Sequence, residues 1–364
     1  MKQTYIIAEI GQAHDGSLGM AHAYIDAVAK TGANAIKFQT HIAVAESSIH
    51  EPFRVKFSKQ DATRYEYWQR MEFSLAQWKE LKAHCDEVGI DFLSSPFSNA
   101  AVDLLEEVGV KQYKVGSGEV NNFLLLEKIA NTGKPIIISS GMSSFAELDE
   151  TVAFLKEKNC EFSILQCTTS YPTAPKQFGL NVIHELKERY QGAYLGEVSQ
   201  NNKRKIQEKK TAQVSEQSNL DYRVKIGFSD HSSGIEAGIA AATLGAEILE
   251  FHVVFDKEMF GPDAKSSLTF PETTKLVSAV RNIDKALNHP IDKKDNSQYS
   301  ELKQIFEKSL AINKDLPKGH VLTFNDLEAK KPKNYGILAS KFQEVIGKKL
   351  VNDMKQWDFL NEED

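Results

Sequence analysis

Residues Ile226–Leu268, IGFSDHSSGIEAGIAAATLGAEILEFHVVFDKEMFGPDAKSSL, hold two short runs of buried type, each followed by a histidine, His231 and His252. Between them the Ala-rich IEAGIAAATLGA has the composition of a helix packed on a sheet. The order is therefore strand, loop with His231, helix, strand, loop with His252. In a parallel α/β fold both loops leave the C-terminal edge of adjacent strands, where ligands bind. Two neutral imidazoles meeting there can hold a divalent metal and leave positions for water and substrate. Gly261, Pro262 and Asp263 add a turn and a carboxylate. Two loop histidines satisfied by hydrogen bonds alone are the alternative.

Upstream the same rhythm recurs. YIIAE, AIKFQ, IDFLSSPF, VKQYKVGSGE, KPIIISSGM and EFSILQCTTSYP read as strands, separated by helical patterns such as WKELKAHCDEVG and FAELDETVAFLKEKN. With RVKIGFSDH and AEILEFHVV this makes eight strands, the count of a (β/α)8 TIM barrel. Each strand ends in polar residues. In order they are Glu9; Lys37 and Gln39; Ser94 and Ser95; Lys114, Ser117 and Glu119; Ser139 and Ser140; Thr168, Thr169 and Tyr171; Ser229 and His231; and His252. One polar strand end means nothing, but eight converging on one face describe an active site.

The barrel is expected over residues 1–285, with a polar Lys/Gln/Ser-rich insertion at 192–219. A linker follows at 286–305, then a small β-rich unit at 306–364, too short to bury a large core alone. The chain of 364 residues is 41% hydrophobic and 26% charged, with net charge −6 and pI near 6.0. That balance disfavours a nucleic-acid partner, and no apolar run reaches the roughly 18 residues of a membrane span. Three scattered cysteines, Cys85, Cys160 and Cys167, give no disulfide framework and fit a reducing cytoplasm.

The chemistry follows from the strand ends. Lys37 and Lys114, with Ser95, Ser117 and Ser139 as donors, suit a phosphate or a phosphate plus carboxylate. Glu9 and Glu119 offer acceptors for hydroxyls, or a general acid or base. A metal at His231 and His252 polarises a carbonyl oxygen. Together these suit condensation of a phosphorylated three-carbon donor with a sugar aldehyde.

At this level the chain resembles the sialic acid synthases, the N-acetylneuraminate, legionaminate and pseudaminate synthases. The matching motifs are AEIGQAHDGS, AIKFQTH, SSPFS, YKVGSGE, KPIIISSGM, LQCTTSYP, GFSDHSSGIE and GPDAKSSL, and Ser309–Leu360 resembles that family's antifreeze-like (SAF) domain. The resemblance implies condensation of phosphoenolpyruvate with an N-acetylated hexose to a nine-carbon 2-keto-3-deoxy sugar acid. By that likeness Lys37, Ser95, Lys114, Ser117, Ser139 and Ser229 bind phosphoenolpyruvate, and His231 and His252 hold Mn²⁺ or Mg²⁺. Glu9, Gln39, Glu119, Thr169, Tyr171 and Asp263 face the sugar, Lys331 stands where an arginine reaches its N-acyl group, and the assembly is a domain-swapped homodimer.

Three departures fall mainly on the sugar side. Asn-His-Asn-Gly appears as Ala13-His14-Asp15-Gly16, Thr169 replaces Asn, and Arg-Pro-Gly appears as Lys331-Pro332-Lys333. Rival readings are a 3-deoxy-octulosonate or heptulosonate phosphate synthase, for which no second arginine cluster is evident, and a non-catalytic sugar-binding homologue. An ice- or polysaccharide-binding small unit on a scaffold barrel is a third.

Overall fold

The computed structural model describes residues 3–191 and 223–364, in two compact units divided between His289 and Pro290. The expected insertion at 192–219 lies outside the described residues. In the first unit the strands are β1 (Tyr5–Gly11), β2 (Ala35–Thr40), β3 (Asp91–Pro96), β4 (Tyr113–Val115), β5 (Ile136–Ser139), β6 (Phe162–Cys167), β7 (Lys225–Asp230) and β8 (Ile248–Val254). All pair in parallel in the order β3-β2-β1-β8-β7-β6-β5-β4. The two ends of that path lie side by side, so the ring is nearly closed.

The outer helices are α1 (Leu18–Ala29), α2 (Ala43–Glu46), α3 (Arg64–Met71), α4 (Leu75–Val88), α5 (Asn99–Val108), α6 (Phe123–Ala130), α7 (Phe145–Glu157), α8 (Asn181–Tyr190), α9 (Glu236–Thr243) and α10 (Phe270–Leu287). Their ends are written locally. Ser74 with Gln77 and Ser144 with Glu147 form reciprocal caps at the starts of α4 and α7, each satisfying amides that the helix leaves unpaired.

The barrel interior is layered because strand side chains alternate. Ile7, Ala35, Leu93, Ile137, Leu165 and Ile248 form an apolar plug inside the ring. Gly227 belongs to the same layer, where an added Cβ would press on Leu165 and on the carbonyl of Ile248, so the plug leaves room for no side chain there. Two residues further along each strand the inward positions become Glu9, Lys37, Ser95, Ser139, Cys167, Ser229 and Glu250. A closed apolar floor thus lies under a charged layer.

The second unit contains an antiparallel pair, β10 (Ser309–Ile312) with β11 (Leu327–Lys330), numbered after the two-residue β9 (Leu268–Thr269) beside β8. Its core is Leu310, Ile312, Leu316, Leu322, Val345, Leu350, Met354 and Leu360. The stretch expected as linker at 286–305 is more ordered than that reading. α10 runs to Leu287, and Ser300–Phe306 forms a helix, α11, because Glu301, Leu302, Lys303 and Gln304 are all good helix formers.

Candidate active site

Above the plug the polar layer walls a cavity of about 440 Å³, within the roughly 300–1,000 Å³ of small-molecule sites. Glu9, Lys37, Gln39, Ser95, Lys114, Ser117, Glu119, Ser139, Thr169, Tyr171, Ser229, His231, His252 and Asp263 all line it. Every barrel residue given a role from the sequence therefore faces one space. Lys331 belongs to the second unit, its ammonium 4.8 Å from the ring centre of Phe306. The doubled serines divide. Ser94 bonds Thr40 at 2.6 Å and Ser140 donates to the Leu165 carbonyl, so neither joins the cavity, as alternation along a strand requires.

The two lysines are fully buried and differ in their surroundings. Lys37 Nζ lies 2.9 Å from Glu9 Oε2 and 3.4 Å from Glu250 Oε2. Burial works against its charge, but Glu250 and Glu9 outweigh it and raise the pKa above the ordinary lysine value. Lys114 Nζ donates to Ser139 Oγ at 2.7 Å and stands 3.5 Å from Glu250 Oε1. Here burial prevails over Glu250, and the pKa is lowered. One ammonium is held firmly, the other loosely.

Glu250 joins the two lysines and was not singled out from the sequence. It accepts from Ser229 Oγ at 2.9 Å through Oε1, while Oε2 has no hydrogen-bond partner. The signal was present: Glu250 precedes His252 by two, which on a strand means the same face. Burial raises the pKa of Glu9, but His252 and Lys37 more than reverse this and hold it well below the usual carboxylate range. Gln39 Nε2 donates to Glu9 Oε1 at 2.7 Å. Ser95 Oγ is buried without a partner, a donor available to a ligand.

His231 and His252 lie with ring centres 5.2 Å apart. Burial, then the neighbouring His252, depresses the His231 pKa to about 3, so this imidazole is neutral and able to ligate. Among the described residues no three His, Cys, Asp or Glu side chains are grouped as a metal cage. Two imidazoles with open positions nevertheless suit a divalent ion completed by substrate and water oxygens. The charges agree: Glu9, Glu46, Glu51, Glu119, Glu250 and Asp263 line the cavity against Lys37, Arg54, Arg64 and Lys114. This formal excess of two negative charges opposes an anionic donor unless a cation joins it.

The remaining wall comes from residues 41–72, a segment the sequence reading passed over. Ala43, Tyr67, Trp68 and Met71 form a separate core there, with Phe53, Phe57 and Tyr65 against it. His41 is stacked between Trp68 and Phe97 at 3.9 and 4.5 Å and bonds Glu46 Oε1 at 2.5 Å. Its other nitrogen reaches Gln39 Oε1 at 3.3 Å. Arg70 pins this segment to the β1–α1 turn, reaching Asp61 at 2.8 Å and Asp15 at 2.6 Å. Asp15 and Gly16 have φ of 50° and 76°, so the departure to aspartate at 15 gives Arg70 a charged partner in a left-handed turn.

His14 lies beneath that turn, 1% exposed, and accepts the Gly16 amide at 3.1 Å. Burial, with His41 and Arg70 nearby, lowers its pKa to about 3. The unfolded chain protonates first as pH falls, so stability is lost from about pH 6.5 down to about 3, by about 2 kcal/mol at pH 5 from this group. His14→Gln is expected to flatten the acid limb by that amount in denaturant titrations at pH 7 and 5. An unchanged limb would show that His14 does not control it.

The NeuB family matches residues 24–197 and 208–292, and a SAF domain matches 307–356. The chain is 33% identical to the N,N'-diacetyllegionaminic acid synthase of Campylobacter jejuni over 368 residues, covering 100% of both. It is 32% identical to human N-acetylneuraminate-9-phosphate synthase, over 99% of this chain and 92% of that one. A crystal structure of N-acetylneuraminic acid (sialic acid) synthetase from Leptospira borgpetersenii, in complex with citrate, superposes with TM-score 0.64 at 29% identity. That match covers 83% of this chain and 90% of the other. No described helix is long and apolar enough to cross a membrane. Matched along its length by proteins named as synthases, the chain is an enzyme and belongs to the NeuB family, with a SAF domain following its barrel.

Proposed function

We propose that the chain joins phosphoenolpyruvate to the open-chain aldehyde of an N-acetylated hexose, N-acetylmannosamine or a diacetamido-trideoxyhexose. The products are phosphate and a nine-carbon 2-keto-3-deoxy sugar acid. The observation that carries this reading is the buried Lys37–Glu250–Lys114 group beside the His231–His252 pair in one cavity. Its relatives are named for legionaminic acid and for N-acetylneuraminate 9-phosphate.

In the reaction C3 of phosphoenolpyruvate attacks the aldehyde carbon, whose oxygen takes a proton. Water adds at C2, and phosphate leaves with its bridging oxygen. Lys37, held protonated by two carboxylates, anchors the donor's negative charge, and Ser95, Ser117, Ser139 and Ser229 supply hydroxyl contacts around it. Lys114, whose proton is the looser, is suited to lend it to the departing phosphate. Glu9, Gln39, Glu119, Thr169, Tyr171 and Asp263 orient the sugar's hydroxyls, and the resemblance assigns Lys331 to the sugar as well. His231 and His252 would hold Mn²⁺ or Mg²⁺, which supplies Lewis-acid polarisation of the aldehyde.

A cytoplasmic, domain-swapped homodimer goes with this reading. Three free buried cysteines fit a reducing compartment. Val44 on α2, with Ile49, Met142 and Phe260 on loops, are exposed apolar groups that a second chain would cover. A monomer mass in light scattering would remove the dimer.

The test is phosphate release from phosphoenolpyruvate with Mn²⁺ against N-acetylmannosamine, its 6-phosphate, mannose and diacetamido-trideoxyhexoses. Release with an acetamido hexose is expected. Silence with every sugar, while the donor still binds, would overturn the reading; a strict demand for the 6-phosphate would replace the acceptor with the one the human relative's name suggests.

A further inference from the structure

The wall built by residues 41–72 brings two guanidiniums to the cavity, and that of Arg54 has an unusual setting. It lies 4.1 Å over the Tyr171 ring. Tyr171 in turn is 4.4 Å from the His231 ring, and His231 is 5.2 Å from His252. A series of neighbouring rings, tilted to one another, thus leads from Arg54 inward to the imidazole pair.

Arg54 spends only Nη2 on the protein, donating to Asp263 Oδ1 at 2.7 Å and to the Pro262 carbonyl at 3.4 Å. Its Nε–H and Nη1–H groups make no hydrogen bond to the described residues. A planar fork fixed on one face by an aromatic ring and on one edge by a carboxylate offers its remaining donors to an acceptor in the same plane. Asp263 decides the charge of that acceptor. A phosphate dianion at the fork would sit beside the Asp263 carboxylate, whereas an amide carbonyl carries no net charge to repel. The other guanidinium of this wall, Arg64, is likewise held by a carboxylate, Glu51 at 2.9 Å, and both buried lysines are engaged by Glu9 or Glu250.

Deepening the reading above and resting on it, we infer that Arg54 reads the acyl carbonyl of an uncharged N-acylated acceptor, and that its partner Asp263 bars a phosphorylated one. Acceptor choice then resides in the 41–72 segment together with the loop after β8.

The experiment compares N-acetylmannosamine, mannose and N-acetylmannosamine 6-phosphate as acceptors for the parent enzyme, Arg54→Ala and Arg54→Lys, with thermal melts to verify folding. The parent is expected to favour the unphosphorylated acetamido sugar over its 6-phosphate by about tenfold or more in kcat/KM. Arg54→Ala is expected to raise the KM for N-acetylmannosamine by about 10- to 100-fold, the loss of a charge-assisted hydrogen bond. The KM for phosphoenolpyruvate and that for mannose should stay within about twofold. Arg54→Lys, with the charge but not the fork, should resemble Arg54→Ala. Preference for the 6-phosphate, equal losses with N-acetylmannosamine and mannose, or a raised donor KM would each overturn this inference alone. A parent enzyme silent with all three sugars and with the diacetamido-trideoxyhexoses would take down the underlying condensation as well.

Discussion

Glu250→Gln is expected to slow phosphate release about a thousandfold, roughly 4 kcal/mol of lost transition-state binding. The carboxylate lies within 3.4 Å of Lys37 and 3.5 Å of Lys114, and it is what opposes the burial that already lowers the pKa of Lys114. Without it, Lys114 gives up its proton at a lower pH and Lys37 keeps only Glu9. The amide cannot restore the charge, and its NH₂ group would face an ammonium, donor against donor. Two consequences separate this from simple misfolding. The KM for phosphoenolpyruvate should rise more than that for the sugar, and the pH profile should lose activity on its alkaline side at lower pH than the parent, as Lys114 deprotonates earlier. A variant with parental donor affinity and an unmoved alkaline limb would show that Glu250 does not maintain the lysine charges. Glu250→Ala should also cost about 3–5 kcal/mol of stability, because it strands buried cations.

His252→Ala is expected to abolish saturable Mn²⁺ binding in calorimetry and reduce turnover to background. The loss of affinity should exceed the roughly 10- to 100-fold that outer-shell changes around metals produce. The same substitution removes the contact at 3.4 Å between His252 and Glu9, but the apolar plug beneath is untouched. The melt should therefore stay within a few degrees of the parent. Mn²⁺ affinity equal to the parent's would remove the imidazole pair from any metal role, whatever the effect on rate.

What the sequence made legible was the part of the site that obeys a strand's period of two. Lys37, Ser95, Ser139 and Ser229 could be placed because each ends a short buried run, and the register then carries them to one face. Glu250 obeyed the same rule but was hidden, because inside ILEFHVV a lone carboxylate looks like an interruption of an apolar run. The departures behaved differently again. Asp15 finds its reason in Arg70, a residue 55 positions away that no local pattern connects to it. Residues 41–72 resisted reading for a physical reason. Their helices span only Ala43–Glu46 and Arg64–Met71, too short for periodicity to speak, and their order comes from tertiary contacts such as Trp68 against His41. α11 was missed because Ser300–Phe306 is only seven residues long, too short for its apolar spacing to stand out beside the polar NHPIDKKDNSQYSE.

The small core of Ala43, Tyr67, Trp68 and Met71 stands apart from the clusters that fill and surround the barrel. Mechanically this makes the mouth a two-part device, a rigid socket and a removable cheek. Changes confined to the cheek's own core leave the packing of the socket's core unaltered, so the two cores can vary separately. A transplant of residues 41–72 between members of this family is then a graft with three seams on the socket, Arg70 on Asp15, His41 on Phe97 and Gln39, and Arg54 on Asp263 and Tyr171, and its success should depend on matching all three together.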